Sequence, residues 1–511
     1  MNILFAASEL SPYAKSGGLG DVIGALPAVL KGRGHSVSAV IPLYRGLRER
    51  IPGIRATDLF LQIPMGKTVK EGRVWEAETP GGVRLFLIEQ EEYFNRAHFY
   101  GENNADYEDN SARFFFFSKA VVEAARYLEP APEILHVHDW QTGLVPAFVQ
   151  ARGLPFKTVF TIHNLAYQGS FWGLDFPLTN LPDDAFTAQG VEFYGYVNCM
   201  KAGIVMADQV TTVSPRYAQE IQTEIYGCWL DRVLQEQSHK LTGILNGVDY
   251  ALWDPKTDIH LPANYGPASL GGKAACRKAV LEAFRLRDDD DAPIFGCVTR
   301  LAHQKGIHLI QEVIEGLLWQ DIRFLLLGSG DPAAEHWFSS LALRHPGKVG
   351  VWIGFSEELS HRVTAGSDFF LMPSLYEPCG LTQMYSLRYG TLPIVHETGG
   401  LADSVRDYRP APKPVAKKGG KASKAKDKAK AKTKEEVAEA AQAAKGGPDG
   451  TGFRFMPCTG QPFWDACQRA RNLYADKVEL NRVRKLAMKE DFSWDESAKQ
   501  YEVVYRRALA S

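Results

Sequence analysis

A glycine-rich stretch near the start of the chain has the composition of a phosphate-binding loop. It reads Lys15-Ser-Gly-Gly-Leu-Gly-Asp21. The dinucleotide fingerprint G-x-G-x-x-G does not fit, because Ile23 occupies the third glycine position, and the Gly-Lys-Ser/Thr ending of a P-loop is missing. A loop between a strand and a helix still offers backbone N–H groups to an anion, and Lys15 adds a positive charge. We therefore predict phosphate binding outside the dehydrogenase and P-loop classes; a tight turn is the alternative.

Two cations follow an apolar run in the second half of the chain. The run Ile294–Val298 reads as a buried strand, and Arg300-Leu-Ala-His-Gln-Lys305 comes directly after it. Ligands of open α/β sheets bind at the carboxyl ends of the strands. A guanidinium fork and an ammonium five residues apart are suited to a diphosphate. The alternative interpretation is the solvated start of a helix.

A carboxylate and a tight turn follow another apolar run, Phe369–Met372. The segment reads Ser374-Leu-Tyr-Glu377-Pro-Cys-Gly380-Leu-Thr382. Glu377 could accept hydrogen bonds from sugar hydroxyls, and Gly380 would allow the backbone to approach a ligand closely. Cys379 could be a nucleophile, but no histidine nearby in the sequence supports that role, which favours a packed thiol.

Three histidines follow or end two further apolar runs. His136 and His138 alternate along one run and precede Asp139, while His163 lies in Thr161-Ile-His-Asn-Leu-Ala-Tyr-Gln-Gly169. Alternation along a strand sends the first two side chains to the same face. No third ligand stands at a spacing typical of zinc sites, so no metal is expected.

The elements that must position these residues alternate between strands and helices, which predicts a doubly wound α/β fold. Near-continuous apolar runs indicate parallel strands buried on both faces. The predicted helices include Asp21–Lys31 and a C-terminal helix with a capping box formed by Ser493 and Glu496. The predicted strands are Asn2–Ala6, Val37–Ile41, Ile134–Val137, Thr158–Ile162, Gln209–Val213, Ile294–Val298, Phe324–Leu327, Val349–Ile353, Phe369–Met372 and Pro393–Val395.

The strand pattern restarts near residue 292, which predicts two α/β domains within 511 residues. We place the N-terminal domain at 1–245 and the C-terminal domain at 246–490. The final helix, 491–511, is expected to pack back on the N-terminal domain.

Composition excludes several classes of protein. The net charge of −2, with 45% hydrophobic residues, gives no reason to expect a nucleic-acid or membrane partner. The apolar runs are shorter than the roughly 18 residues of a membrane helix, and the N-terminus has no basic signal-peptide region. Seven scattered cysteines without a CxxC pair favour reduced thiols and a cytoplasmic location.

The segment 411–448 fits neither domain. It is rich in Lys, Ala, Pro and Gly and has almost no large apolar side chain. Such a composition predicts a disordered basic insertion, with a nascent helix at Glu435–Ala444. A solvated loop is the simpler interpretation, and a docking arm for an anionic partner is the alternative.

Taken in order, these segments resemble one family. Lys15-Ser-Gly-Gly-Leu, HVHDWQTGL, TIHNLAYQG, ILNGVD, RLAHQKG, SLYEPCGLTQMYSLRYGTLPIV and TGGLADSV match bacterial glycogen synthases and plant starch synthases, the retaining glucosyltransferases of glycosyltransferase family 5. The resemblance spans nearly the whole chain except 411–448. It implies a GT-B fold, with two Rossmann-like domains facing a central cleft. It also implies transfer of glucose from ADP-glucose to the non-reducing end of an α-1,4-glucan, with no cofactor.

The resemblance further implies roles for individual residues. The cations and the loop amides would hold the diphosphate, Glu377 would bind glucose hydroxyls, and His163 would lie at the sugar. The implied catalytic residues are His163, Arg300, Lys305 and Glu377; the implied donor-binding residues are Lys15, Gly17, Gly18, Asp21, Asp139, Asn246, Cys379, Gly380, Leu381 and Thr382. A front-face mechanism is expected, because no carboxylate is evidently placed as a covalent nucleophile.

Several points stay open at the level of the sequence. Aromatic residues of the stretch 93–110, Tyr93, Phe94 and Tyr100 among them, could stack on the acceptor glucan or pack in the protein. Related enzymes often carry a second glutamate where this chain has Tyr385, which puts ribose recognition in question. UDP-glucose is an alternative donor, since the base depends on pocket shape around 353–356. A catalytically silent glucan-binding protein is an alternative of another class. Oligomeric state is not predicted.

Overall fold

The computed structural model describes residues 1–102, 105–288, 291–410 and 447–511. The predicted helix at Glu435–Ala444 and nearly all of the predicted insertion lie outside these residues. The described chain forms two compact units. The first contains Met1–Tyr250, Glu377–Leu381 and Asp491–Ser511, and the second contains Ala251–Tyr376 and Thr382–Glu490.

The first unit is built on a sheet of nine strands, with two small sheets beside it. Its strands are β1 Asn2–Ala6, β2 Ser36–Pro42, β3 Arg55–Met65, β4 Thr68–Glu78, β5 Arg84–Glu89, β6 Gly101–Glu102, β7 Ala105–Asp106, β8 Ile134–His138, β9 Lys157–Ile162, β10 Ser170–Trp172, β11 Glu192–Phe193, β12 Tyr196–Asn198, β13 Gln209–Thr212 and β14 Leu241–Gly243. Its helices before residue 250 are α1 Gly18–Gly32, α2 Leu47–Arg50, α3 Glu91–Phe94, α4 Asn110–Ala125, α5 Val145–Ala151, α6 Cys199–Met206, α7 Pro215–Glu220 and α8 Asp231–Glu236.

The order of the large sheet is β14-β13-β9-β8-β1-β2-β5-β4-β3. From β14 to β5 all neighbours are parallel, and their apolar side chains are buried, as the sequence predicts. The chain runs from β1 to β2 on one side and later to β8 on the other. The carboxyl ends of β1 and β8 therefore form a topological switch point, where ligands of such sheets bind.

One edge of this sheet differs from the predicted parallel arrangement. β3 and β4 form a long antiparallel hairpin, and β4 pairs antiparallel with β5. Their side chains alternate between exposed and buried positions instead of forming continuous apolar runs. Such alternation is the signature of a sheet with one solvated face, so a search for apolar runs misses it.

The second unit has a six-stranded, wholly parallel sheet of order β17-β16-β15-β18-β19-β20. Its strands are β15 Ile294–Val298, β16 Arg323–Gly328, β17 Val349–Ile353, β18 Phe369–Met372, β19 Leu392–His396 and β20 Phe453–Phe455. Its helices are α9 Gly271–Ala283, α10 Ile307–Leu318, α11 Pro332–Arg344, α12 Glu357–Gly366, α13 Thr382–Arg388, α14 Gly399–Ser404, α15 Gly460–Tyr474 and α16 Lys477–Ala487. β15 lies between β16 and β18, so the switch point of this sheet is at β15 and β18.

The last helix, α17 Trp494–Ala510, belongs to the first unit. Ser493 is its N-cap residue, but the predicted capping box is wrong. The Ser493 side chain makes no capping hydrogen bond, and the Glu496 carboxylate pairs with Lys499 one turn further on. Among the described residues, no helix is both long and apolar enough to span a bilayer.

Candidate functional site

The glycine-rich loop follows β1 and leads into α1, at the switch point of the first sheet. The helix begins at Gly18, earlier than predicted, so the second half of the loop is its first turn. Lys15 Nζ pairs with Asp21 Oδ1 at 2.6 Å, and 46% of the lysine side chain is exposed. Gly17 and Gly18 are exposed, with open space beside each Cα. The loop thus presents a cation and two bare glycines to solvent.

Glu9, which the sequence analysis did not single out, holds this loop. Its carboxylate is only 4% exposed and accepts hydrogen bonds from the Ser16 and Gly17 amides at 2.7 and 3.1 Å. The Ser16 and Tyr100 hydroxyls also donate to it, at 2.5 and 2.7 Å. In this structure the Gly17 amide therefore donates to a buried carboxylate, and its contact with a phosphate stays a prediction. Glu9 stands six residues before Lys15, and the sequence alone does not show that its side chain is buried against the loop.

His163 is held by a second buried histidine. His138 ends β8, His163 follows β9, and the atoms His138 Nδ1 and His163 Nε2 are 3.0 Å apart. Burial lowers the pKa of His163 to about 3 and that of His138 well below its usual range, so both rings are neutral at pH 7. His138 Nε2 is buried and has no hydrogen-bond partner in the described part of the chain.

This geometry favours one pair of tautomers. A buried N–H without an acceptor is rarer in proteins than an acceptor without a donor. The hydrogen is therefore best placed on His138 Nδ1, which donates to His163 Nε2. His163 then carries its own hydrogen on Nδ1, the nitrogen that can donate to a ligand.

The network continues toward the C-terminal helix. His136 Nδ1 lies 2.9 Å from the Tyr505 hydroxyl of α17, and its Nε2 lies 2.7 Å from Thr161 Oγ1. The rings of His136 and His138 are 4.2 Å apart. Packing and hydrogen bonding thus connect the last helix of the chain to the histidine pair.

Asp139 stands at the same strand end in an unusual backbone conformation, with φ at +53°. Its Oδ1 accepts a hydrogen bond from the His163 amide at 2.7 Å. Burial raises the pKa of Asp139 to about 7, although backbone amides of His163 and Asn164 counteract the shift. Asp139 therefore shapes the turn before His163. A positive φ in a residue with a side chain is found preferentially at functional sites.

Other predicted residues of the first unit are buried near strand ends. Asn246 follows β14, is 5% exposed, and its Oδ1 has no hydrogen-bond partner among the residues described. A buried amide oxygen of this kind can still accept a hydrogen bond. Glu377 and Cys379 are each 6% exposed. Ser214 donates a hydrogen bond to the Pro378 carbonyl at 2.7 Å. This bond fixes the turn from Glu377 to Cys379.

The cation loop of the second unit lies at the β15–β18 switch point. Gly306 ends this loop with φ at +68°, and an added Cβ would lie 1.9 Å from the Pro373 carbonyl oxygen. Only glycine allows this approach. Leu375 donates to the Gln304 carbonyl at 2.9 Å. The loop containing Arg300 and Lys305 is thus joined to the segment after β18.

Two further positions in this unit clarify the sequence analysis. Thr382 begins α13, two residues after Gly380, which has φ at +68°. Tyr385, in place of the second glutamate, stacks on Trp253 with ring centroids 4.0 Å apart and planes 6° apart. Its ring therefore contributes to packing within the unit.

The predicted acceptor residues do not form a stacking surface. Tyr93 is 4% and Phe94 0% exposed, and both pack against Phe116 of α4. The prediction is wrong for these two residues, because a sugar ring cannot reach them. Tyr100 is partly buried, and its hydroxyl is bonded to Glu9 and Ser8. Across the described chain, no group of three or more His, Cys, Asp or Glu could hold a metal ion.

Comparisons with known proteins agree along the whole chain. The family description "Starch synthase catalytic domain" matches residues 2–236, and "Glycosyl transferases group 1" matches residues 281–443. Glycogen synthases from Opitutus terrae and Myxococcus xanthus are 42% and 43% identical, over 100% of both chains. The catalytic domain of starch synthase IV from Arabidopsis thaliana, solved with ADP and acarbose, is 32% identical with a TM-score of 0.85, over 100% of this chain and 99% of that one. The predicted fold class, GT-B with two Rossmann-like units, is confirmed.

Proposed function

Because the chain belongs to the family of bacterial glycogen synthases and starch synthases, and is a glycosyltransferase, we propose that it extends an α-1,4-glucan with glucose from ADP-glucose. The anomeric configuration is retained and ADP is released. The observation that carries this proposal is the full-length similarity to glycogen synthases, with every predicted catalytic residue at a strand end or in the turns that follow.

In this reaction the bond between the sugar C1 and the distal phosphate oxygen breaks, and negative charge accumulates on ADP. Arg300 and Lys305 stabilise that charge on the diphosphate, and Lys15 contributes a further cation. Fixed cations and amides of this kind lower a barrier without a metal, each by about 3–4 kcal/mol in well-studied cases. The bare backbone at Gly18 and the turn at Gly380–Thr382 give the phosphates close access.

The sugar is oriented by neutral donors and one carboxylate. His163, with its hydrogen on Nδ1, donates to a glucose hydroxyl, and Glu377 accepts from others. A neutral imidazole suits this task, since a charged ring would oppose the positive charge that develops on the sugar. Asn246 Oδ1, buried and without a partner among the described residues, is available to a further hydroxyl.

Transfer proceeds on one face of the sugar. The acceptor 4-hydroxyl oxygen bonds to C1 as the phosphate leaves, and its proton passes to the departing phosphate oxygen. Retention follows without a covalent enzyme intermediate. None of the seven cysteines forms a disulfide, which supports a reducing compartment, the cytoplasm, as the place of action.

The decisive experiment compares two donors. ADP-glucose and UDP-glucose are each supplied with glycogen, and release of ADP or UDP is followed side by side. We expect ADP-glucose to give the higher kcat/KM. Higher turnover with UDP-glucose would reject ADP-glucose as the preferred donor. If neither ADP nor UDP is released, the proposed activity is rejected and a catalytically silent glucan-binding protein is favoured.

A matched variant distinguishes the activity of this chain from that of a contaminating enzyme in the preparation. Glu377→Gln removes the negative charge and keeps the shape of the side chain. Loss of most of kcat in a folded protein is expected, because sugar orientation contributes several orders of magnitude to such reactions. Turnover close to that of the unmodified chain would remove Glu377 from the site.

A further inference from the structure

Four donors converge on the carboxylate of Glu9. Its Oε2 accepts from the amides of Ser16 and Gly17 at 2.7 and 3.1 Å, and its Oε1 accepts from the hydroxyls of Ser16 and Tyr100 at 2.5 and 2.7 Å. An ionised carboxylate offers about four acceptor positions, so these donors occupy all of them. Because Glu9 is almost fully buried, the loss of one donor leaves part of a buried charge unsatisfied. Its surroundings therefore hold the carboxylate in one position.

The same carboxylate lies close to the aliphatic stem of Lys15. Gly20, in the first turn of α1, touches both side chains, because a Cβ added to it would lie 3.1 Å from Lys15 Cγ and 3.4 Å from Glu9 Oε2. The Ser11 amide donates to the Gly20 carbonyl at 2.9 Å, so the segment between Glu9 and Lys15 closes back on the helix. Since Glu9 is buried while Lys15 and Gly18 are exposed, the carboxylate supports the glycine-rich loop from its inner side.

Glu9 accepts from the amides that precede the helix, not from those of its first turn. Helix α1 begins at Gly18, and the first amides of a helix have no acceptor inside the helix. With the backbone of Ser16 and Gly17 bonded to Glu9, the chain enters the helix in one conformation. The amides of the first turn, and Lys15 beside them, are then oriented for an anion before it binds.

Tyr100 is fixed both at its hydroxyl and at its backbone. The hydroxyl donates to Glu9, and the Ser8 hydroxyl lies 2.8 Å from the same oxygen. The Tyr100 carbonyl accepts from the side chain of Asn110 at 2.8 Å. The side-chain oxygen of Asn110 accepts in turn from Arg113 at 2.6 Å, and this guanidinium is fully buried. A chain of hydrogen bonds thus runs from the start of α4 through Tyr100 to the glycine-rich loop.

We propose that Tyr100 and Glu9 are positioning residues for the nucleotide-sugar donor, and that Tyr100 does not contact the acceptor glucan. Tyr100 fixes the carboxylate of Glu9, Glu9 fixes the loop, and the loop directs Lys15 and the first amides of α1 at the diphosphate. A loop that is already ordered loses less conformational freedom when a ligand binds, so donor affinity depends on this network. The inference rests on the proposed function, and it assigns Tyr100 to the donor side of the site.

The first test removes a single hydroxyl from the full chain. Tyr100→Phe should raise the KM for ADP-glucose about 5–10-fold, because Glu9 loses one of its four donors. The KM for glycogen should stay constant, and kcat should stay within about twofold. Tyr474→Phe is the matched control, since this buried tyrosine of the second unit also donates to a carboxylate, that of Asp291 at 2.9 Å. The control should change neither KM value.

The second test separates the hydrogen bonds of Glu9 from its charge. In Glu9→Gln, the amide oxygen can still accept from the two backbone amides, and the amide nitrogen can donate to the two hydroxyls. This variant should keep the KM for ADP-glucose within about threefold of the unmodified value, whereas Glu9→Ala should raise it more than about tenfold. Thermal unfolding of each variant establishes that it is folded.

Three outcomes would overturn the inference and leave the proposed function intact. A higher KM for glycogen at a constant donor KM in Tyr100→Phe would assign Tyr100 to the acceptor. A lower melting temperature with both KM values unchanged would limit the network to stability. An equal loss of kcat in Glu9→Gln and Glu9→Ala would show that the negative charge of Glu9 itself takes part in the reaction.

Binding of ADP, measured by calorimetry without acceptor, distinguishes this inference from the proposed function. An unmodified chain that transfers no glucose, yet binds ADP with an affinity that falls in Tyr100→Phe, would reject the proposed function and keep the network. An unmodified chain that does not bind ADP would reject both.

Discussion

At the scale of single residues, Lys15 is the cation whose role can be separated most cleanly from stability. Its ammonium pairs with Asp21, but 46% of its side chain is exposed. Exposed ion pairs contribute at most about 1 kcal/mol to folding. Lys15→Gln should therefore raise the KM for ADP-glucose about tenfold or more and shift the free energy of unfolding by less than about 1 kcal/mol. Initial-rate kinetics and urea unfolding measure both.

Lys499→Gln is the matched control for this substitution. Lys499 also pairs with an aspartate, Asp495 at 3.1 Å, and is 47% exposed, but it lies on the C-terminal helix. It should change neither KM nor kcat. A donor KM that stays constant in Lys15→Gln would exclude Lys15 from the donor site.

His138 acts through His163, so its substitution should affect kcat more than donor binding. His138→Ala removes the hydrogen bond that fixes the tautomer of His163. We expect a loss of about 10–100-fold in kcat, the range found when the orienting partner of a metal-bound histidine is removed. His138→Asn keeps a donor close to the position of Nδ1 and should recover most of that loss. Kinetics of both variants, with thermal unfolding as a check, decide the question.

Equal loss in the alanine and asparagine variants would contradict this reading. If the only effect of the substitution were the cavity left by the His138 ring, both variants would lose stability. Their kcat values would then be the same. The discriminating result is thus the recovery of kcat by asparagine at an unchanged donor KM.

At the scale of elements, the C-terminal helix α17 is anchored to α1 by a buried carboxylate. Glu502 accepts from Arg33 Nε at 2.8 Å and lies 3.1 Å from His35 Nε2. Its hydrogen bond with Arg33 is the main reason that the pKa of Glu502 falls to about 2. Because Arg33 is one-quarter exposed, water screens the pair, and Glu502→Gln should lower the free energy of unfolding by about 1–2 kcal/mol.

The same helix offers the control. Glu496 is 53% exposed and pairs only locally, with Lys499 three residues on. Glu496→Gln should change the free energy of unfolding by less than about 0.5 kcal/mol. Chemical denaturation at pH 7 compares the two, and equal effects would show that Glu502 does not anchor the helix.

Strand β8 makes the first unit sensitive to acid. His136 and His138 stay neutral when folded, because burial lowers the pKa of both well below the usual value. In the unfolded chain each binds a proton below about pH 6.5. Stability should thus fall as the pH falls, by about 1.4 kcal/mol per unit for each histidine. His163 adds to this loss. Asp139, with a folded pKa of about 7, opposes it between about pH 4 and 7.

The contribution of one histidine can be measured directly. His138→Asn should reduce the slope of unfolding free energy against pH by about 1.4 kcal/mol per unit between pH 6 and 5. The unmodified chain gives the reference slope. Urea midpoints at pH 7, 6 and 5 give both slopes, and an identical slope for the variant would refute the assignment.

The elements that the sequence predicts well are those whose signal is local. Buried parallel strands such as β15 and β18 are continuous apolar runs, and their bounds agree with prediction. The β3–β4 hairpin has one solvated face, so it lacks that signal. Aromatic character alone cannot tell Phe94 in the core from Trp172 on the surface, because burial depends on packing between distant segments. Glu9 and His138 were missed as supports because their burial and their contacts, with Tyr100 and His163 among others, are evident only in the folded chain.

At the scale of the whole molecule, both units use the same arrangement. In each, predicted site residues follow the two strands at which the order of the sheet reverses, β1 with β8 and β15 with β18. In the first unit, His163 and Asn246 follow two further parallel strands of the same sheet, β9 and β14. The parallel strands that position them are buried on both faces, and the chemistry is carried by short turns after their carboxyl ends. Additions elsewhere in the chain should therefore be tolerated, provided that their ends leave these sheets intact.

The lysine-rich segment 411–446 lies outside the turns that carry the predicted site residues. It contains eleven lysines against four acidic residues, and none of the motifs that carry the family resemblance falls within it. The residues on either side of it are close together, because Arg409 donates to the Gly447 carbonyl at 3.1 Å and Gly447 donates to Asp407 at 3.1 Å. A short Gly-Ser linker can join these ends without moving the backbone. Deletion with such a linker should keep kcat within about twofold and leave the melting temperature unchanged within about 2 °C.

A second variant separates charge from length. An uncharged Gly-Ser segment as long as 411–446 should behave like the deletion if the segment is only a solvated loop. Loss of kcat in the deletion alone would assign a role to the length of the segment. If both variants keep kcat but lose a salt-dependent interaction with an anionic partner, the lysines form a docking arm, because only charge differs between the uncharged segment and the native one.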